Sequence, residues 1–270
     1  GYVSASASSS SHPYLKTYRR EAVLVPAGES GAYVADVFRV SGGNVHTWCC
    51  AGPVCGETSM LQVNVPMRPG QDGLLKTYLA ENFEYRALGE AVDPLVFTWR
   101  VDPDAVKRQI GGKTQPEVLV RAWHLGAAGR PVMHAWTKLS DYTGQGTPHN
   151  YAFVRNEGAD GLEGVYATVT EAYDAPEPLL RSAELERLRS GGEGAGAARA
   201  IKIRTRDLQD DLLIFGRSDD APVKTESNIT MQGRFALLSA RDKGLARVVL
   251  VGGAALEWQR GGLSIRPETA

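Results

Sequence analysis

Short runs rich in valine, isoleucine, threonine and aromatics recur along the whole chain, with glycine-rich turn chemistry between them. TYRREAVLVP, AYVADVFRV, VHTWCCA, PLVFTWRV, EVLVRAWHL, PVMHAWT, YAFVRN, GVYATVTEAY, ARAIKIRT, DLLIFGR, GRFALLSARD, ARVVLVGG and LSIRP read as strands. PAGESG, SGG, RPGQDG, GAAGR, NEGADG and RSGGEGAG read as turns. Almost no long 3.6-residue pattern interrupts them, so the chain is predicted to be all-β and antiparallel. Its 30 glycines suit tight turns that need positive φ. This many strands exceeds an immunoglobulin-like domain, and a large two-sheet sandwich of the supersandwich type is their natural home. We read one domain over residues 1–270, with a smaller sheet from about 195 to 270. DPDAVKRQI is a two-turn helix candidate capped by Asp102 or Asp104, whereas LLRSAELERL alternates and reads as strand.

The totals narrow the function classes. Thirty Lys+Arg against 31 Asp+Glu give a net charge of −1, so no global basic field exists and a nucleic-acid partner is not expected. No apolar run approaches the roughly 20 residues that cross a bilayer, so no membrane partner is expected. The start GYVSASASSSS lacks an initiator Met and a signal pattern, and suggests a piece of something larger. Cys49, Cys50 and Cys55 are odd in number and match no finger spacing, even with His46 nearby. They read as small buried hydrophobes, and no metal site is expected. No HExxH, GxSxG or phosphate-loop motif is present.

The stretch YVADVFRVSGGNVHTW holds the chemistry. A period of two puts Val34, Asp36, Phe38 and Val40 on one face, and Tyr33, Ala35, Val37 and Arg39 on the other. A carboxylate at Asp36 shares the more apolar face and calls for a partner. A hairpin through PAGESG brings Arg19 or Arg20 alongside, and Asp36 with Arg19 is the expected structural ion pair. Gly42-Gly43 then turns the chain. His46 and Trp48 share a strand face, pairing a group able to move a proton near neutral pH with a ring that suits a pyranose. His124 and His134 alternate with tryptophans on apolar strands and read as core or cleft wall, and His149 after a Gly/Thr/Pro turn reads as exposed.

YRREAVLV followed by YVADVFRVSGGNVHTW resembles the pattern "YRR-t-v-lv … YvvDvFRVrGG-xx-H-dw" of heparinase II/III-like proteins. The resemblance runs through LLKTYLAENF, PEVLVRAWHLGAAGRPVMHAW and HNYAFVRNEG … LEGVYATVTEAYDAPEPLLRSAELERL, from about Tyr18 to Leu188, and GRFALLSARDKG … LVGGAALE also fits. It implies the β-sandwich portion of a lyase that cleaves uronic-acid polysaccharide by β-elimination. In that family a helical toroid completes the cleft. Neither the toroid nor a His-x-His-x-Asp-Ala-Gly segment is found, so the metal ligands are expected upstream, with no cofactor in this chain. The resemblance makes His46 the catalytic candidate, and Trp48, Arg39, Tyr18 and Arg20 the substrate-binding candidates. The implied partners are an acidic polysaccharide and a helical toroid domain or companion chain, in the periplasm or outside the cell. A non-catalytic carbohydrate-binding or scaffold module is the alternative.

Overall fold

The computed structural model of the chain describes residues 1–6, 14–28, 31–52, 61–69, 83–101, 107, 117–137, 149–174, 176–217, 221–241, 244–259 and 262–266. The helix candidate DPDAVKRQI, apart from Lys107, and Cys55 lie outside the described residues. The described chain is nearly all strand in antiparallel sheets, as the sequence predicts. It divides into two compact units.

The first unit holds residues 1–43, 161–167 and 179–270. Its outer sheet runs β1 (Tyr2–Ser6), β2 (Thr17–Ala27), β3 (Gly31–Ser41) and the first part of β12 (Glu163–Asp174). β2 and β3 pair in register from Thr17↔Ser41 to Ala27↔Gly31. A second sheet is ordered β13 (Leu180–Glu186), β15 (Arg199–Thr205), β16 (Asp210–Phe215), β19 (Phe235–Arg241), β20 (Gly244–Val251). LLRSAELERL is therefore strand, split between β13 and β14 (Leu188–Ser190). A third sheet is ordered β14, β17 (Val223–Thr225), β18 (Ile229–Gln232), β21 (Ala255–Trp258), β22 (Leu263–Ile265).

The second of these sheets is a middle layer. Leu212, Ile214, Ala236 and Leu238 pack with Ile229, Met231 and Leu256 of the third sheet. On its other face, Asp211 accepts a hydrogen bond from Tyr33 of β3 at 2.6 Å, and Phe235 stacks on Tyr2 of β1 at 5.2 Å. A strand covered on both sides has no reason to alternate, which is why DLLIF and FALLS read as continuous apolar runs.

A buried charge cluster fastens the outer sheet to the middle one. Glu21 and Arg39, on neighbouring strands, are both sealed from solvent. Glu21 accepts from Arg39 Nε at 3.0 Å, from the Tyr2 hydroxyl at 2.8 Å and from Arg19 Nη2 at 3.0 Å. Arg39 also donates to the carbonyls of Ala197 and Gly216, which flank β15 and β16. Desolvation pulls the Arg39 pKa below the ordinary arginine value, and the Glu21 carboxylate opposes that shift.

The second unit holds residues 44–160 and 168–178. One sheet runs β4 (Val45–Ala51), β11 (His149–Glu157), β10 (Pro131–Thr137), β7 (Phe83–Glu90), β6 (Arg68–Pro69). The other runs from the second part of β12 through β9 (Val118–Leu125) and β8 (Leu95–Arg100) to β5 (Leu61–Val63). Between them lie Trp48, stacked 6.1 Å from Phe97, and Trp99, whose indole donates to the Asn150 carbonyl at 3.2 Å. Gly52 shares that carbonyl, and a Cβ there would stand 2.4 Å from the Trp99 ring.

Arg39→Met leaves the Glu21 carboxylate buried with one ionic partner fewer, and it is expected to lower unfolding free energy by about 3–5 kcal/mol. The double variant Glu21→Leu/Arg39→Met is expected to cost less than the sum of the single changes. Urea titration of all three variants checks both expectations.

Candidate functional site

The ladder β2–β3 sorts the candidates by face. Arg19, Glu21, Val23 and Val25 point inward, so Tyr18, Arg20, Ala22 and Leu24 point outward. Tyr33, Ala35, Val37 and Arg39 form the better-buried side of β3, and Val34 and Phe38 on the other side stay partly open. This reverses the reading in which the Asp36 face is the core face. Arg39 looked like the surface residue of the strand, but its charge is answered by Glu21, whose Cα pairs with Val37 one diagonal step away.

Two expectations are corrected at this point. Asp36 pairs with Arg20, whose Nε lies 2.5 Å from its Oδ2, and Arg19 pairs with Glu21 instead. Parity decides this: Arg20 and Asp36 share the outward face and Arg19 does not. Arg39 is not open to a substrate: it is 1% exposed, and its guanidinium donates to Glu21 and to the carbonyls of Ala197 and Gly216. Burial holds the Asp36 carboxyl above the ordinary carboxylate range, with the Arg20 guanidinium partly offsetting it.

His46 and Trp48 do share one face of β4, but that face is the interior one. His46 is 6% exposed and Trp48 is 7% exposed. The Trp48 ring meets His124 edge-on at 4.7 Å, and His124 is fully buried. Desolvation, with Arg130 nearby, pushes the His124 pKa down to about 3, so this imidazole is neutral at ordinary pH. His134, on β10, shares a hydrogen bond with Asn150 at 2.7 Å. The side chain of His149 lies outside the described residues. Cys49 is exposed and Cys50 half-buried, not the buried hydrophobes expected, because β4 is an edge strand and adjacent residues face opposite ways.

What stays open is the pair Tyr18 and Arg20. Tyr18 is 41% exposed, its ring edge-on to Phe38 at 4.9 Å, and Phe38 stacks in turn on Tyr166 at 6.0 Å. The Arg20 side chain is 64% exposed. Its bond to Asp36 uses Nε, leaving both Nη groups uncommitted among the described residues. An aromatic ring and a guanidinium edge therefore stand two residues apart on one outward strand face. Such a pair can hold a flat, oxygen-rich anion: the ring takes an apolar face, and the fork takes a carboxylate or sulfate.

A second cluster was missed from the sequence. In the second unit Arg121 of β9 donates to Glu171 of β12 at 2.7 Å, and its guanidinium lies 4.8 Å from the Trp123 ring and 5.5 Å from the Tyr173 ring. The signal was present in the i, i+2 spacing of Arg121 with Trp123 and of Glu171 with Tyr173, which puts each pair on one face. Arg121 is thus paired with a fully buried carboxylate and set against two rings.

Among the described residues no group of three or more His, Cys, Asp or Glu is arranged to hold a metal ion, so no step is derived through one. No family model matches the chain, and no curated protein matches it.

A neutral buried His124 sets a pH dependence with a definite sign. Its folded pKa of about 3 lies below the ordinary value of 6.5, so the unfolded chain binds the proton first as pH falls. The His124 contribution to stability is fully present above pH 6.5 and is lost progressively toward pH 3. The slope approaches about 1.4 kcal/mol per pH unit within that window. Unfolding midpoints taken from neutral pH down to the acid limit should fall, and should fall less steeply in His124→Gln.

Proposed function

We propose that this chain is the β-sandwich portion of a polysaccharide lyase that cleaves uronic-acid-containing polysaccharide by β-elimination, helping to form the substrate cleft. The observation that carries the reading is the uncommitted Nη edge of Arg20 beside the half-open Tyr18 ring. β-Elimination from a uronate needs the C5 carboxylate neutralised before the adjacent proton can leave. A guanidinium fork binds a carboxylate bidentately, and a phenol ring lies against a pyranose face. The all-β architecture and the resemblance of YRREAVLV and YVADVFRVSGG to heparinase II/III-like proteins support the same reading.

In this reading Tyr18 and Arg20 bind substrate, Asp36 holds the Arg20 guanidinium on the sheet face, and Glu21 with Arg39 ties β2 to β3 on the inward side. The groups that move protons belong to a helical region completing the cleft, because His46, the proton-moving candidate of this chain, is buried. The reading carries with it an acidic polysaccharide partner, no cofactor in this chain, and a periplasmic or extracellular site of action. The burial of His46 and Trp48 favours a second reading, a carbohydrate-binding sandwich without catalysis of its own.

The ultraviolet absorbance of the unsaturated uronate product separates the two. Alginate, heparan sulfate, chondroitin sulfate and hyaluronan are offered to the chain alone and to the chain joined to its helical region. Product in the longer form only is the expected result. Arg20→Ala is expected to weaken polysaccharide binding about tenfold, or about 1.4 kcal/mol, and more so at low salt. Binding without product in either form establishes the binding module, and absence of both binding and product overturns both readings.

A further inference from the structure

The middle and third sheets of the first unit do not cover each other completely. At one end they leave a cavity of about 390 Å³, within the size range of small-molecule sites. Its floor is two neighbouring rows of side chains running across the middle sheet. One row is Ser182, Arg204, Asp210, Ala240 and Leu245, joined by direct cross-strand pairing. The other is Glu184, Lys202, Leu212 and Leu238, joined in the same way. Ile229 and Trp258, themselves a cross-strand pair, close it from the third sheet.

The two ends of this floor differ in chemistry. Toward β19 and β20 it is apolar, with Leu212, Leu238, Ala240 and Leu245 opposite the half-buried Trp258 ring. Toward β13 and β15 it carries both signs of charge: Lys202 and Arg204 stand beside Glu184 and Asp210, while the Asp211 carboxylate is turned onto Tyr33 and Gln209. Arg204 makes two hydrogen bonds to Asp210, at 2.7 and 3.2 Å, and Lys202 lies 3.1 Å from Glu186. An anion would have to displace a carboxylate from Arg204 or Lys202, and a cation would have to displace Arg204 from Asp210. A neutral molecule with many hydroxyls meets neither obstacle, since each hydroxyl can donate to a carboxylate and accept from a guanidinium or ammonium. The indole and leucine end asks the same molecule for an apolar face.

We infer that this cavity is a binding site for a neutral sugar unit, with one pyranose face on Trp258 and its hydroxyls on Arg204 and Asp210. It uses none of the residues assigned to the acidic substrate and stands or falls independently of that assignment.

Amide and indole NMR shifts of the whole chain test it, with cellobiose and maltose as probes and with sodium glucuronate and hexanol as controls. Expected are shifts centred on Arg204, Asp210, Ala240 and the Trp258 indole with a disaccharide, absent with glucuronate and hexanol. Arg204→Ala/Asp210→Ala changes two residues that are more than half exposed, so it should fold normally while weakening the disaccharide about tenfold. Arg20→Ala should leave this binding unchanged. Shifts with hexanol alone identify a bare apolar gap and overturn the inference. Response to glucuronate alone, no response to any probe, or affinity untouched by the double variant also overturns it.

Discussion

The position of a single carboxylate, that of Glu21, orders the first unit. Removed from water, it is stable only with its oxygens occupied, and here Arg39, Arg19 and Tyr2 occupy them. Each partner comes from a different place along β1, β2 and β3, so filling the carboxylate fixes the register of all three strands at once. The remaining donors of Arg39 reach backbone carbonyls of the next layer, and a packing problem within one sheet becomes the joint between two. The outward face follows from the same choice. With Arg19 and Glu21 turned in, a period of two leaves Tyr18 and Arg20 turned out, and Asp36 is the only carboxylate of β3 able to meet Arg20.

The sequence was informative about strands and their punctuation, and less so about which side of a strand is interior. Strand residues and turn glycines are local matters: Gly42, at φ 108°, has a Tyr14 carbonyl where a Cβ would sit, and SGG announced that turn. Interior faces depend on a partner elsewhere in the chain. Arg39 marked its face as the polar one until Glu21, eighteen residues earlier, is placed beside it. The continuous apolar runs in β16 and β19 did carry a clue to a third layer, because a strand with one wet face alternates.

The candidate site was legible in the same partial way. The spacing of Tyr18 with Arg20 and of His46 with Trp48 placed each pair on one face, and the structure keeps both pairings. Only the facing sheet decides whether such a pair meets solvent or a core. Phe97 and His124 cover Trp48, whereas the Arg20 side chain, bonded to Asp36, is 64% exposed. His124, buried against the Trp48 ring and near Arg130, loses its charge, and with it the property that makes histidine attractive as a catalyst.

The middle layer of the first unit has a consequence for how the chain must be made. DLLIF and FALLS satisfy two neighbours each, so before either neighbour arrives both of their faces are sticky. Their apolar parts, Leu212 to Phe215 and Phe235 to Leu238, are rich in branched and aromatic residues, and segments of this kind stack with copies of themselves. Asp210 and Asp211 at the entrance to β16, and Arg241 at the exit of β19, put charge at the mouths of both segments. In the finished protein Asp210 holds Arg204 and Asp211 holds Tyr33; before folding is complete, charges in these places oppose such stacking.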